Sequence, residues 1–319
     1  MEGSGQGKTA ELVKFDSLIL LKLTQLCQDS ETTAIGHLLG LDLGKVVEVT
    51  DCYPLPLRPG DKYASIEQYN NKMHEVLGGL GLDNKTVGWF QRSDYGDFID
   101  AASVENQYEM QKENRNSIML TYDPVQEATG GFPLKAYRLT EAFMAFYASQ
   151  EHTFVQARKY DLRSGGVFES IALEVQHSSI TEAFLAQFAP EDAAGVFKSS
   201  VGMGFLEKEL SSLTECVEEL SDKQQKTHIY VRSLQKQKAQ QKLNEQKIVE
   251  ENRQRKMRGQ PLINIYEGSG QLYRAIPPPN RLESLLAEQQ AAVFCEELDL
   301  YAEEAAARLR LLKAFQSEA

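Results

Sequence analysis

The chain has little cysteine: four residues in 319, at Cys27, Cys52, Cys216 and Cys295, with no C-x-x-C pair. A disulfide framework or zinc knuckle is therefore not expected, and a reducing compartment fits. No apolar run approaches the roughly 20 residues that span a bilayer. The start, MEGSGQGKTAE, lacks the apolar centre of a secretory signal and reads as a flexible tail over residues 1–11. A cytosolic or nuclear protein is the default reading, with the cytoplasm as the expected location and no membrane partner. Positive charge is also short overall. The net charge of −12 argues against general nucleic-acid affinity of the whole chain. The phosphate-loop, dinucleotide and nucleophile-elbow patterns are missing. Gly3-Ser4-Gly5-Gln6-Gly7-Lys8-Thr9 has the wrong glycine spacing and no strand before it.

What is present exceeds one ordinary core, so a domain with an extension is expected. Residues 17–28 read as a helix capped by Asp16 or Ser17. Ile35–Leu41 and Val46–Tyr53, parted by Asp42-Leu43-Gly44, read as a hairpin. Helices follow at 65–80, 97–114 and 140–149. Strands follow at Thr86–Phe90, Ser117–Tyr122, Leu134–Leu139 and Val167–Val175. Interleaved strands and helices predict a mixed α/β domain over residues 12–190.

Beyond residue 200 the pattern changes. Leu206, Leu210, Leu213, Val217 and Leu220 are spaced 4, 3, 4, 3, and the register resumes at Val231 and Leu234. This seam predicts a long helix over 200–258. A helix packed on the domain's own body is one reading. A thin stripe seeking a partner helix is the other. Gly and Pro make 259–280 a linker, with a short apolar segment at Leu262–Tyr266. A last helix is expected over 281–316, with Ala287, Ala291, Phe294, Leu298, Tyr301, Ala305, Leu309 and Leu312 on one face. Residues 221–258 hold eleven basic residues against four acidic ones. A solvated helix face is the plain reading. Contact of Arg253, Arg255, Lys256 and Arg258 with RNA or an acidic partner is the sharper one.

Val87-Gly88-Trp89-Phe90-Gln91-Arg92-Ser93 resembles the strand that leads into the metal motif of the MPN (JAB-like) family, which includes zinc isopeptidases. The resemblance implies a mixed β-sheet flanked by helices. It also implies a site that active members build from H-x-H, a serine, an aspartate and an upstream glutamate base. A catalytic zinc needs three protein ligands and one open position. Here the ligand positions fall on Gln91, Ser93 and Val104, the serine on Ala101 and the base on Thr33. All five are replaced, and the five histidines form no H-x-H or H-x-x-x-H pair. No metal, cofactor or catalytic residue is expected. Asp94, Asp97, Glu105, Glu31 and His37 lie nearby in sequence but read as loop, cap or core residues.

Further segments are similar to one branch of that family, the H-type subunits of eukaryotic translation initiation factor 3. They are Asp94-Tyr95-Gly96-Asp97-Phe98, Leu120-Thr121-Tyr122-Asp123-Pro124, Leu134-Lys135-Ala136-Tyr137-Arg138-Leu139, Phe168-Glu169-Ser170-Ile171 and Arg281-Leu282-Glu283-Ser284-Leu285-Leu286. The resemblance implies a non-catalytic structural subunit. It would pair with an F-type MPN subunit, join other subunits through a C-terminal helical bundle and reach the small ribosomal subunit. An inactive scaffold of a proteasome lid or signalosome is the alternative.

Overall fold

The computed structural model describes residues 9–28, 34–56, 63–81, 83, 85–129, 131–162, 166–177, 179–187, 203–261 and 276–318. Its strands form one mixed sheet closed into a barrel. Their order is β1 (Leu12–Asp16), β3 (Val46–Pro54), β2 (Ile35–Asp42), β4 (Thr86–Arg92), β5 (Ile118–Tyr122), β6 (Leu134–Leu139) and β7 (Phe168–Gln176). The β2–β3 hairpin turns at Gly44, which has φ +88° and donates its N–H to Asp42 Oδ1 at 2.8 Å. β1 runs parallel to both β3 and β7, and β4 parallel to β5, while the other pairs are antiparallel. At the β4–β5 contact a Cβ on Gly88 would run into the Ile118 carbonyl, so the close approach requires glycine.

The sequence reading contains no strand before residue 35. β1 is only five residues with two buried positions, Val13 and Phe15, too few to declare a period. Its role is topological, because it closes the barrel between β3 and β7. Helix α1 (Ser17–Gln28) follows at once, with Asp16 Oδ1 accepting the Leu18 N–H at 3.3 Å, and buries Ile19, Leu23 and Cys27 at four-residue spacing.

The remaining helices are α2 (Tyr63–Gly79), α3 (Ala101–Glu113), α4 (Pro124–Thr129), α5 (Glu141–Ala148), α6 (Phe154–Lys159), α7 (Ser179–Gln187), α8 (Met203–Met257) and α9 (Leu282–Glu318). The helix expected from 97 starts later. Tyr95 and Gly96 are left-handed, at φ 60° and 67°, and Asp100 is the cap, accepting the Ser103 N–H at 2.7 Å. Asp123-Pro124 both ends β5 and starts α4. Asp123 Oδ1 accepts the Val125 N–H at 2.8 Å, and Pro124 occupies the first helical position, where no N–H is needed.

Two apolar clusters share the sheet. Neighbours on β4 point to opposite sides, so Phe90 joins the cluster of Val13, Leu38, Val47 and Leu23. Trp89 joins Phe98, Val104, Phe143 and Phe168. The second cluster also contains Leu285, Leu286 and Val293, so the first half of α9 belongs to the core of the body. An adjoining face of α9, made by Ala287, Ala291 and Phe294, packs on Leu213, Cys216 and Leu220 of α8. The two helices run antiparallel: Cys216 Sγ donates to the Ala287 carbonyl at 3.2 Å, and Lys223 Nζ to the Glu283 carbonyl at 3.2 Å. Among the described residues no helix is long and apolar enough to cross a membrane.

Candidate functional site

The positions to which the MPN resemblance assigns a metal lie where β4 ends and α3 begins. The Trp89 strand is fixed from behind by amides: Trp89 Nε1 donates to Gln107 Oε1 at 2.7 Å, Gln107 Nε2 to the Ser117 carbonyl at 2.8 Å, and Gln111 Nε2 to the Leu139 carbonyl at 2.8 Å. At the first ligand position Gln91 is buried with both ends of its amide engaged. Nε2 donates to the Phe98 carbonyl at 3.2 Å, and Oε1 accepts from Ser103 Oγ at 3.2 Å. Ser93 is buried with its hydroxyl unpartnered, Ala101 is exposed, and Val104 is fully buried among apolar side chains. Thr33, the base position, lies outside the described residues, as does Glu31.

This donor set does not fit zinc. An amide committed to protein hydrogen bonds, a neutral hydroxyl and a valine supply no His, Cys or carboxylate ligand. Asp94 pairs with Arg92 at 2.9 Å. Asp97 is held above the usual carboxylate range by burial and then by Asp100 and Glu215. His37 packs on Tyr53 beside Asn70, and burial followed by His74 lowers its pKa to about 4. Among the described residues, no group of three His, Cys, Asp or Glu could hold a metal ion.

The loop beside this position is occupied by the chain's own C-terminal helix. Gln290 Nε2 donates to the Gly96 carbonyl at 2.7 Å, and its Oε1 accepts the Ile99 N–H at 3.1 Å. Gln289 Oε1 accepts the Val167 N–H at 3.2 Å. Glu297 pairs with Lys135 at 2.8 Å, and a Cβ on Gly96 would collide with its carboxylate. Asp123 Oδ2 accepts the Gly96 N–H at 3.0 Å, and Lys208 of α8 lies 5.9 Å over the Tyr95 ring. Sequence reasoning missed Gln289, Gln290 and Glu297. The only signal was an amide pair between Leu285-Leu286 and Val293, polar residues on an otherwise apolar helical face.

The seam residues divide. Phe294, read as partner-facing, is instead buried within this chain, because α8 lies against it. Leu213 and Leu220 are partly buried there too. Leu206, Leu234, Leu298 and Tyr301 are half-buried, while Leu210, Val217, Val231 and Leu309 are exposed. The basic group sits at the far end of α8, away from the replaced metal position. Arg253 pairs with Glu250 at 3.9 Å and Arg255 with Glu251 at 2.8 Å; Lys256 and Arg258 are exposed.

Comparison with known proteins agrees with this geometry. Residues 8–116 match the family described as JAB1/Mov34/MPN/PAD-1 ubiquitin protease, and residues 127–319 match the C-terminal region of eIF3h. The H-type subunit of eukaryotic translation initiation factor 3 from Arabidopsis thaliana is 33% identical over 95% of this chain and 92% of its own length. The H-type subunits of Nematostella vectensis and Dictyostelium discoideum are each 28% identical, over 97% and 96% of this chain and 95% of their own lengths. An MPN barrel continued by long paired helices and matched over nearly its whole length by these relatives places the chain in the eIF3h family, the H-type subunits of eukaryotic translation initiation factor 3.

Proposed function

We propose that the chain is a non-catalytic, structural subunit of the cytoplasmic initiation factor 3 complex. In this reading it pairs with an F-type MPN subunit and helps bring the complex to the small ribosomal subunit. The observation that carries the proposal is the apolar surface left bare on the two long helices. Leu210, Val217, Ile229, Val231, Leu243 and Val249 on α8 are exposed, as are Leu300, Leu309 and Leu311 on α9. A 55-residue helix is about 80 Å long, and α9 packs beside only its first part. Each side chain of this kind contributes roughly 1.5–3 kcal/mol when a partner buries it, so a few offset the cost of association.

For the MPN pairing face, the supporting feature is a second bare set: Leu18 and Leu21 on α1, with Val76 and Leu80 at the end of α2. For contact with ribosomal RNA or an acidic neighbour, the support is the basic end of α8, at Arg253, Arg255, Lys256 and Arg258. The deciding experiment is affinity purification of the tagged native protein at moderate salt, with mass spectrometry of what stays bound. Recovery of an F-type MPN subunit, other initiation factor 3 subunits and small-subunit ribosomal proteins is the expected result. Recovery of proteasome-lid or signalosome subunits would overturn the pathway.

A further inference from the structure

Where α8, α9 and the body meet, three carboxylates are buried together: Glu209 of α8, Glu297 of α9 and Asp123 at the end of β5. Glu209 is 0% exposed and Glu297 2%. The cation acting on the junction is Lys135 of β6, whose ammonium pairs with Glu297 Oε1 at 2.8 Å. Asp123 is served by backbone: its oxygens accept N–H groups from Gly96, Val125 and Gln126. Glu209 has no partner for either carboxyl oxygen, and Glu297 Oε2 has none. An ionised carboxylate buried without hydrogen bonds is too costly to persist. A neutral Glu209 avoids that cost beside Glu297, whose Oε1 is already held by Lys135.

We propose that Glu209 docks as the neutral acid, and that this proton latches α8 onto α9 and the loop after β4. The device goes beyond the assembly role proposed above and does not depend on it. The groups facing Glu209 are Glu297 from α9, then Asp123 and Lys135 from the body. The electrostatics agree. Burial first, then Glu297 and Asp123, push Glu209 up to about 8, and Lys135 opposes them. Asp123 is pushed up to about 6, by burial first and partly by Glu297.

The sign follows from proton counting. Docked Glu209 holds a proton that the undocked, solvated side chain releases in the ordinary glutamate range. Docking is therefore tightest in acid, weakens as pH rises from about 4.5 to about 8, and changes no further above that.

The test is hydrogen exchange of the full chain from pH 5.5 to 8.5, corrected for intrinsic exchange, read at amides 206–220. The opening constant should rise by up to about tenfold per pH unit and level off near pH 8. Glu209→Gln, an amide that keeps the shape of the neutral acid, should give a flat profile with protection retained at pH 8.5. Glu207→Gln, an exposed neighbour, should keep the original slope. A flat profile in the unaltered chain, or an equal slope in Glu209→Gln, overturns the proposal. Carboxyl carbon-13 titration of Glu209 in the unaltered chain is a second readout that needs no variant. A midpoint near 8 supports the latch, and one near 4.5 overturns it.

Discussion

Gln290 and Gly96, 194 residues apart in sequence, are joined by a 2.7 Å hydrogen bond. The same side chain accepts the Ile99 N–H, so one amide on α9 holds both ends of the turn between Gly96 and Ile99 that follows β4. Gln290→Ala leaves a buried carbonyl and a buried N–H without partners. The expected loss is about 1–3 kcal/mol per orphaned group, read by urea unfolding, with exchange rising first at residues 96–99.

The two halves of α9 should respond differently to truncation. Leu285→Ala removes a 1% exposed side chain from the body's core and should cost about 2–5 kcal/mol in thermal or chemical unfolding. Leu309→Ala removes a 58% exposed one and should change the isolated chain's stability by about 0.5 kcal/mol or less. Under the proposed assembly role it should instead reduce recovery of partner subunits.

His37 sets an acid limit. Its folded pKa of about 4 lies below the ordinary 6.5, so the unfolded chain binds the proton more readily in between. Stability should fall as pH drops from about 6.5 to about 4, with a slope of up to about 1.4 kcal/mol per pH unit, and this contribution should stop changing below that. Urea midpoints of the unaltered chain and His37→Gln across this range check it, because subtracting the two cancels the carboxylates and the other histidines.

Gln91→His with Ser93→His should not yield a stoichiometric zinc site. Val104 remains at the third ligand position, fully buried and without a donor atom. Calorimetric titration with zinc should show no one-to-one binding.

Under the proposed ribosomal contact, neutralising Arg253, Arg255, Lys256 and Arg258 to glutamine should weaken binding to purified small ribosomal subunits and flatten its salt dependence. An unchanged affinity and salt slope would limit the basic end of α8 to solvation.

What could be read from the sequence was what is local. The Gly88-Trp89-Phe90 strand and the β2–β3 turn are set by residues within a few positions of one another. β1 was not legible because its pairing to β3 and β7 is long-range and its own pattern is too short. The start of α3 was misplaced because the left-handed pair Tyr95–Gly96 delays it to Asp100. Phe294 was assigned to a partner because an apolar stripe does not say whose surface will cover it. In this chain part of the stripe is covered at home by Leu213, Cys216 and Leu220.

The length of α8 turns its fastening into a mechanical question. It is gripped near Glu209 to Lys223, and Met257 lies about 70 Å along the axis from Glu209. A tilt of one degree at the grip moves the far end by roughly 1 Å, given that rise per residue. A tilt too small to disturb the barrel is thereby amplified at the arginines of the tip, as along a lever pivoted where α8 meets α9.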